Sequence, residues 1–201
     1  MGISMFIALG GIGSTIFLSY LTGHPLRKLT KDPAQVLHFQ VYIGWLSNLS
    51  VWLWIIAATF CLFGSEILRR QGNTPTSAHF MRISGLLNLF LAFDDMFLLH
   101  DRVFPQFLHL PEKFFYIAYI LIILIYLAYF LPQILKHEDL LLLIAVVSLG
   151  LSRRMFVAIP ILEQYSTPPD MMKFVGIAFW VVFYYRAAFQ EITASFLPQK
   201  G

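Results

Sequence analysis

The stretch Phe93-Asp94-Asp95-Met96-Phe97-Leu98-Leu99-His100-Asp101-Arg102 places three carboxylates, an imidazole and a guanidinium within ten residues of otherwise apolar chain. On one continuous helix, Asp94 and Asp101 lie seven apart and share a face within about 20°, as do Asp95 and Arg102. Such carboxylates can hold a cation, carry a proton or act as a general base, and a neighbouring imidazole changes charge near neutrality. A second cluster, Arg153-Arg154, could set the affinity of those carboxylates for protons or grip a phosphate or carboxylate. The candidate ion-, proton- or substrate-binding set is therefore Asp94, Asp95, Arg153, Arg154 and Asn48. His100, Asp101, Glu112, Asp170 and Lys173 are expected at its entrance. No residue is assigned a catalytic role, and no metal ligand is assigned.

The elements that must position these groups are read from hydropathy. The chain of 201 residues is 58% hydrophobic, 16% aromatic and only 12% charged, about half the charge usual in a soluble domain. At roughly 20 apolar residues per crossing, the length accommodates about six membrane-spanning helices in one all-α polytopic domain covering 1–201. The expected spans are 4–21, 41–63, 83–101, 114–135, 140–162 and 171–188. Strands are not expected, because the apolar runs lack alternation and an open sheet edge cannot sit in lipid. The N-terminal apolar run has no positive residues before it and no small-residue cleavage site, so it reads as a retained first helix. A net charge of +3 reflects loop topology rather than nucleic-acid binding. The step from no basic residue before the first helix to Arg27, Lys28 and Lys31 after it favours an outside N-terminus, and a bacterial plasma membrane is the expected location. Cys61, the single cysteine, excludes an internal disulfide and packs as a small hydrophobe.

Charge in three of the helices locates the site. Asp94, Asp95, Arg153 and Arg154 would cost on the order of 10–14 kcal/mol if all four faced lipid, so they must face inward. Counting residues to the ends of their helices puts Asp95 and Arg154 about 9–12 Å below one surface. Ser47, Asn48, Ser50, Ser14 and Thr15 fall at similar depth, which implies a water-accessible polar layer open to one side. Arg186 and Glu191 mark the other interface, where they would snorkel. Trp180, Tyr184, Tyr185 and Trp45 read as belt or packing residues, and Gly10, Gly11 and Gly13 as a surface for close helix packing.

The segment FDDMFLLHDRVFP, followed by PEKFFY and by Asp170, Lys173, Gly176 and Trp180, resembles small bacterial multipass proteins of uncharacterised function. The resemblance covers residues 85–190 and implies no activity. The aspartate spacing departs from that of prenyl-transferring enzymes, the paired histidines of ceramidase-type membrane hydrolases are lacking, and His100-Asp101 alone does not make an HD phosphohydrolase. The expected function is a small ion- or proton-coupled transporter or channel, acting as a homo-oligomer or within a membrane complex. The alternatives are a membrane-embedded enzyme acting on a lipid or anionic headgroup, with a divalent metal as its one conceivable cofactor, and a structural or accessory subunit.

Overall fold

The computed structural model describes residues 2–72, 75–137, 139–158 and 167–196. The side chains of Arg153, Arg154 and Glu112 lie outside the described set. Two compact units are distinguished, residues 1–45 and 46–201.

The first unit contains α1 (Gly2–Thr22), α2 (Leu26–Leu29) and α3 (Pro33–Leu37). Asp32 caps α3 by accepting from the Ala34 N–H at 2.7 Å, with Pro33 supplying a preset first helical residue. The hydroxyls of Ser14 and Thr15 return to the Gly11 carbonyl of their own helix at 2.9 and 2.8 Å. Among the described residues, a methyl group added at Gly10, Gly11 or Gly13 would meet no atom within 4 Å.

The second unit comprises α4 (Trp45–Gln71), α5 (Pro75–Phe97), the π-helical turn π1 (Leu99–Val103), α6 (Phe104–Leu108), α7 (Glu112–Tyr129), α8 (Leu131–Ile134), α9 (Asp139–Ala158) and α10 (Thr167–Phe196). Among the described residues every regular element is helical. Three stretches, Ser4–Thr22, Trp45–Gln71 and Asp170–Phe196, are long and apolar enough to cross a membrane, or four if bent α5–π1–α6 counts as one.

Several helix ends differ from the expected spans for local reasons. Gly44, at φ +78°, delays α4 to Trp45. That helix then outlasts its apolar run: Glu66 pairs with Arg69 and Arg70 at 2.9 and 2.7 Å, and Gly72 closes the end at φ +72°. The fourth expected helix ends at Tyr129 because Pro132 has no N–H to continue the ladder, and Phe130 leaves helical geometry at φ −99°, ψ 12°. Helix α5 begins eight residues before its expected start, and α10 ends eight beyond its expected end, but the departure that matters for the site is that α5 stops at Phe97. Leu98 adopts the left-handed conformation (φ 52°, ψ 44°), and the chain continues at a 58° bend. A left-handed non-glycine residue is strained, and such strain concentrates at functional sites.

The buried residues of α5 include Ser77, Met81, Ser84, Asn88, Ala92 and Asp95, successive positions on one helical face. Its outward positions carry Leu86, Phe90, Phe93, Met96 and Phe97, all exposed. The C-terminal half of the helix thus buries Ser84, Asn88, Asp94 and Asp95 while its exposed positions there are apolar. Against its inner face pack Trp180, Phe183 and Tyr184 of α10, Tyr126 of α7 and Phe130. Cys61 is fully buried among them, and Trp180 and Tyr184 are core residues rather than belt residues.

Helices α9 and α10 meet at Gly176, where an added Cβ would lie 2.9 Å from Leu149 Cγ and 3.1 Å from the Ala145 carbonyl oxygen. Gly176→Val is therefore expected to lower stability by about 1–3 kcal/mol through overpacking. An unchanged thermal midpoint would show that the two helices part freely there.

A candidate site at the broken end of α5

The break at Leu98 gathers the charged cluster. With α5 interrupted, Asp94 and Asp101 no longer share a helical face. The chain folds back instead, and Asp94 Oδ1 accepts the backbone N–H of His100 at 3.0 Å. The carboxylate thereby caps amides that the interruption leaves without helical partners. His100 Nδ1 lies 2.5 Å from Asp94 Oδ2, and its Nε2 lies 3.0 Å from Asp101 Oδ1. The ring can satisfy both carboxylates only by donating from both nitrogens, as an imidazolium. Tyr119 of α7 donates to Asp94 Oδ1 at 2.8 Å. Asp94 is 4% exposed and is held by these bonds, as a buried carboxylate must be.

Asp95 is held differently. It is 8% exposed, and its Oδ1 accepts from the Nζ of Lys173 on α10. Its Oδ2 is buried and has no hydrogen-bond partner among the described residues. A free acceptor on a buried carboxylate carries a desolvation cost with nothing to offset it. Of the two adjacent aspartates, Asp94 is the one built into the scaffold and Asp95 the one with unused bonding capacity.

Both aspartates open onto a chamber of about 470 Å³, within the range of small-molecule sites. Its walls are apolar over most of their extent: Trp54 from α4, Leu91 from α5, Ile120, Ile123 and Leu124 from α7, Val146 and Leu149 from α9, and Trp180 from α10. Asp94, Asp95, His100, Tyr119 and Lys173 line it together with Ser152. Asp95 also borders a second cavity of about 230 Å³, shared with Ser47, Asn48, Trp52 and the strained Leu98.

Of the expected site residues, Asp94, Asp95, His100 and Lys173 line the larger chamber, and Asp101 joins them through His100. Asn48 meets Asp95 at the smaller cavity. Ser50 instead bonds the Leu46 carbonyl of its own helix at 3.0 Å. Asp170 is exposed in the first turn of α10, where it complements the helix dipole. The expected pairing with Arg153 and Arg154, and the expected place of Glu112 at the entrance, fall on side chains outside the described residues. Among the described residues, no three His, Cys, Asp or Glu side chains group as a metal site.

Tyr119 and Trp54 were not legible beforehand. Each sits in a span without charge, and only the rotation of packed helices turns them inward. His137 was missed at the other end of the bundle. It lies 2.8 Å from Gln190 Oε1 and 3.3 Å from Glu191 Oε1, so Glu191 is drawn into an ion pair rather than snorkelling outward. Burial works to lower the His137 pKa, but its bonds to Glu191 and Gln190 prevail and hold it above 6.5. A raised folded-state value adds stability that is complete below the unfolded pKa and is lost as pH climbs through the folded one. The thermal midpoint of the wild type is expected to fall, relative to His137→Gln, as pH rises from about 6.5. Parallel pH profiles would show that the pair contributes nothing.

No similar chain is found among curated proteins or among solved structures. A family model described as a domain of unknown function does match, over residues 3–187. That match takes in both units, the broken helix and the whole candidate site, and the chain accordingly belongs to the DUF8692 family.

Proposed function

We propose that this chain crosses a membrane with its apolar helices, six in all, and binds a lipid-like molecule in the large chamber, acting as an enzyme on its polar end. The carrying observation is the composition of the chamber: apolar walls from five helices, with a buried carboxylate of unused capacity, Asp95, beside the Lys173 ammonium. In this reading the hydrocarbon lies along Ile120, Ile123, Leu124, Val146 and Leu149. Asp95 Oδ2 acts as general base, taking the proton of a head-group hydroxyl as its oxygen attacks the acyl or phosphoryl group of a second substrate and passing it to the departing leaving group, while Lys173 offsets the charge that develops on the attacking oxygen. Asp94, His100, Asp101 and Tyr119 hold the broken helix end in place. His100 is a positioning residue, because both of its nitrogens are committed to carboxylates. The membrane assignment is supported by the exposed apolar positions Leu86, Phe90, Phe93, Met96 and Phe97 of α5 and by the three long apolar stretches.

A second reading, ion- or proton-coupled transport, is favoured by one observation: Asp95 borders both cavities, so a proton or cation bound there could be passed between them. The test reconstitutes purified protein in liposomes of total membrane lipid, with and without a chelator of divalent metals. Lipid products are followed by mass spectrometry, and ion flux by a pH-sensitive dye and a panel of cations. Time-dependent conversion of a lipid head group without flux is the expected result. Gradient-driven flux without conversion would replace the enzyme by a transporter, and the absence of both from folded protein would leave an accessory subunit.

A further inference from the structure

We infer that the molecule held in the chamber is a long-chain alcohol, a hydrocarbon ending in an uncharged hydroxyl. This rests on the lipid-binding reading above and deepens it by naming the head group.

The argument is one of donors and acceptors. Asp95 lines the polar end, and its Oδ2 is a buried acceptor with no partner among the described residues. Beside it, Lys173 engages Asp95 Oδ1, and its side chain is 36% exposed. An ammonium has three N–H donors, so it can serve an incoming oxygen as well as the aspartate. A hydroxyl fits both at once: its O–H donates to Asp95 Oδ2 while its oxygen accepts from Lys173. An alkylammonium would satisfy Asp95 but sit against the Lys173 charge. A fatty carboxylate would satisfy Lys173 but sit against Asp95 and Asp94, and like charges at such range in a low-dielectric site repel strongly. The apolar walls supply the affinity for the tail, each buried methylene tightening binding about fourfold.

Trp54 and Trp180 line the chamber and report on its contents. Full-length protein in phospholipid nanodiscs is titrated with an ω-bromo long-chain alcohol, and separately with the amine and the carboxylic acid of the same chain. Bromine quenches indole fluorescence on contact. The expected result is saturable quenching by the alcohol at a mole fraction at least about tenfold below that needed by the amine or the acid. Trp54→Phe should reduce its amplitude. Asp95→Leu should remove the saturable phase. Lys173→Met should weaken the alcohol about tenfold and bring the amine level with it. Saturable quenching that ignores the head group, prefers the acid or the amine, or is unmoved by Lys173→Met would overturn the hydroxyl while leaving lipid binding intact. Non-saturable quenching by all three probes would remove both.

Discussion

Asp95→Asn is expected to fold as the wild type does and to lose head-group conversion by about 10²- to 10⁴-fold, the contribution of a positioned general base. The substitution is isosteric. The amide oxygen still accepts from Lys173, whose partly exposed ammonium can also turn to water. The change falls on the second atom, where a buried acceptor without a partner becomes an NH₂ donor that can neither take a proton nor receive a hydroxyl. Asp94→Asn should behave in the opposite way. That carboxylate accepts the His100 amide, pairs with the His100 ring and accepts the Tyr119 hydroxyl. Weakening these bonds loosens the turn at Leu98, so its thermal midpoint should fall well below that of Asp95→Asn. Turnover per folded molecule and thermal midpoint, measured on both variants, separate the roles. Equal turnover in Asp95→Asn and wild type would move the base elsewhere, and a loss of abundance alone would point to an accessory subunit.

Asp94 and Asp95 were expected to face inward because a charge facing lipid would cost roughly 2.5–3.5 kcal/mol, and both are buried. The long helices were legible for a similar reason, since apolar runs bounded by polar turns leave few alternatives. What failed was finer. Nothing at Leu98 announces a break, as neither glycine nor proline stands there. Asp94, which accepts the His100 amide, pairs with its ring and accepts the Tyr119 hydroxyl, ties the chain beyond Leu98 back onto α5. A continuous helix would have set Asp94 above Asp101, whereas the broken one sets His100 between them. Lys173 was expected at the mouth, but the rotation of α10 that brings it onto Asp95 is a packing outcome no single chain reveals. Nothing local signals the pairing of His137, because its partners lie more than fifty positions away.

The polar interior of α5 beyond the site bears on the choice between enzyme and transporter, and its hydrogen bonds have a direction. Ser84 donates to the Phe80 carbonyl at 2.7 Å, so its oxygen receives the Tyr126 hydroxyl at 2.5 Å. Tyr126, having donated there, accepts from Tyr184 at 2.7 Å. A chain that ends on a backbone carbonyl delivers no proton further, and it reads as a scaffold holding α5, α7 and α10 in register. Tyr126→Phe is then expected to destabilise the protein by about 1–3 kcal/mol, because the fully buried Tyr184 donor loses its acceptor and the Ser84 oxygen its donor. Tyr184→Phe should cost less, since Tyr126 keeps its own donation to Ser84. The double variant should fall short of the sum, because the two hydroxyls share one bond. Chemical denaturation of the three variants reads these differences directly. Head-group conversion at Asp95 should persist in all three once corrected for folded protein. If Tyr126→Phe instead abolishes ion flux at unchanged stability, the chain of hydroxyls is a conduit rather than a scaffold, and transport becomes the better account of the protein.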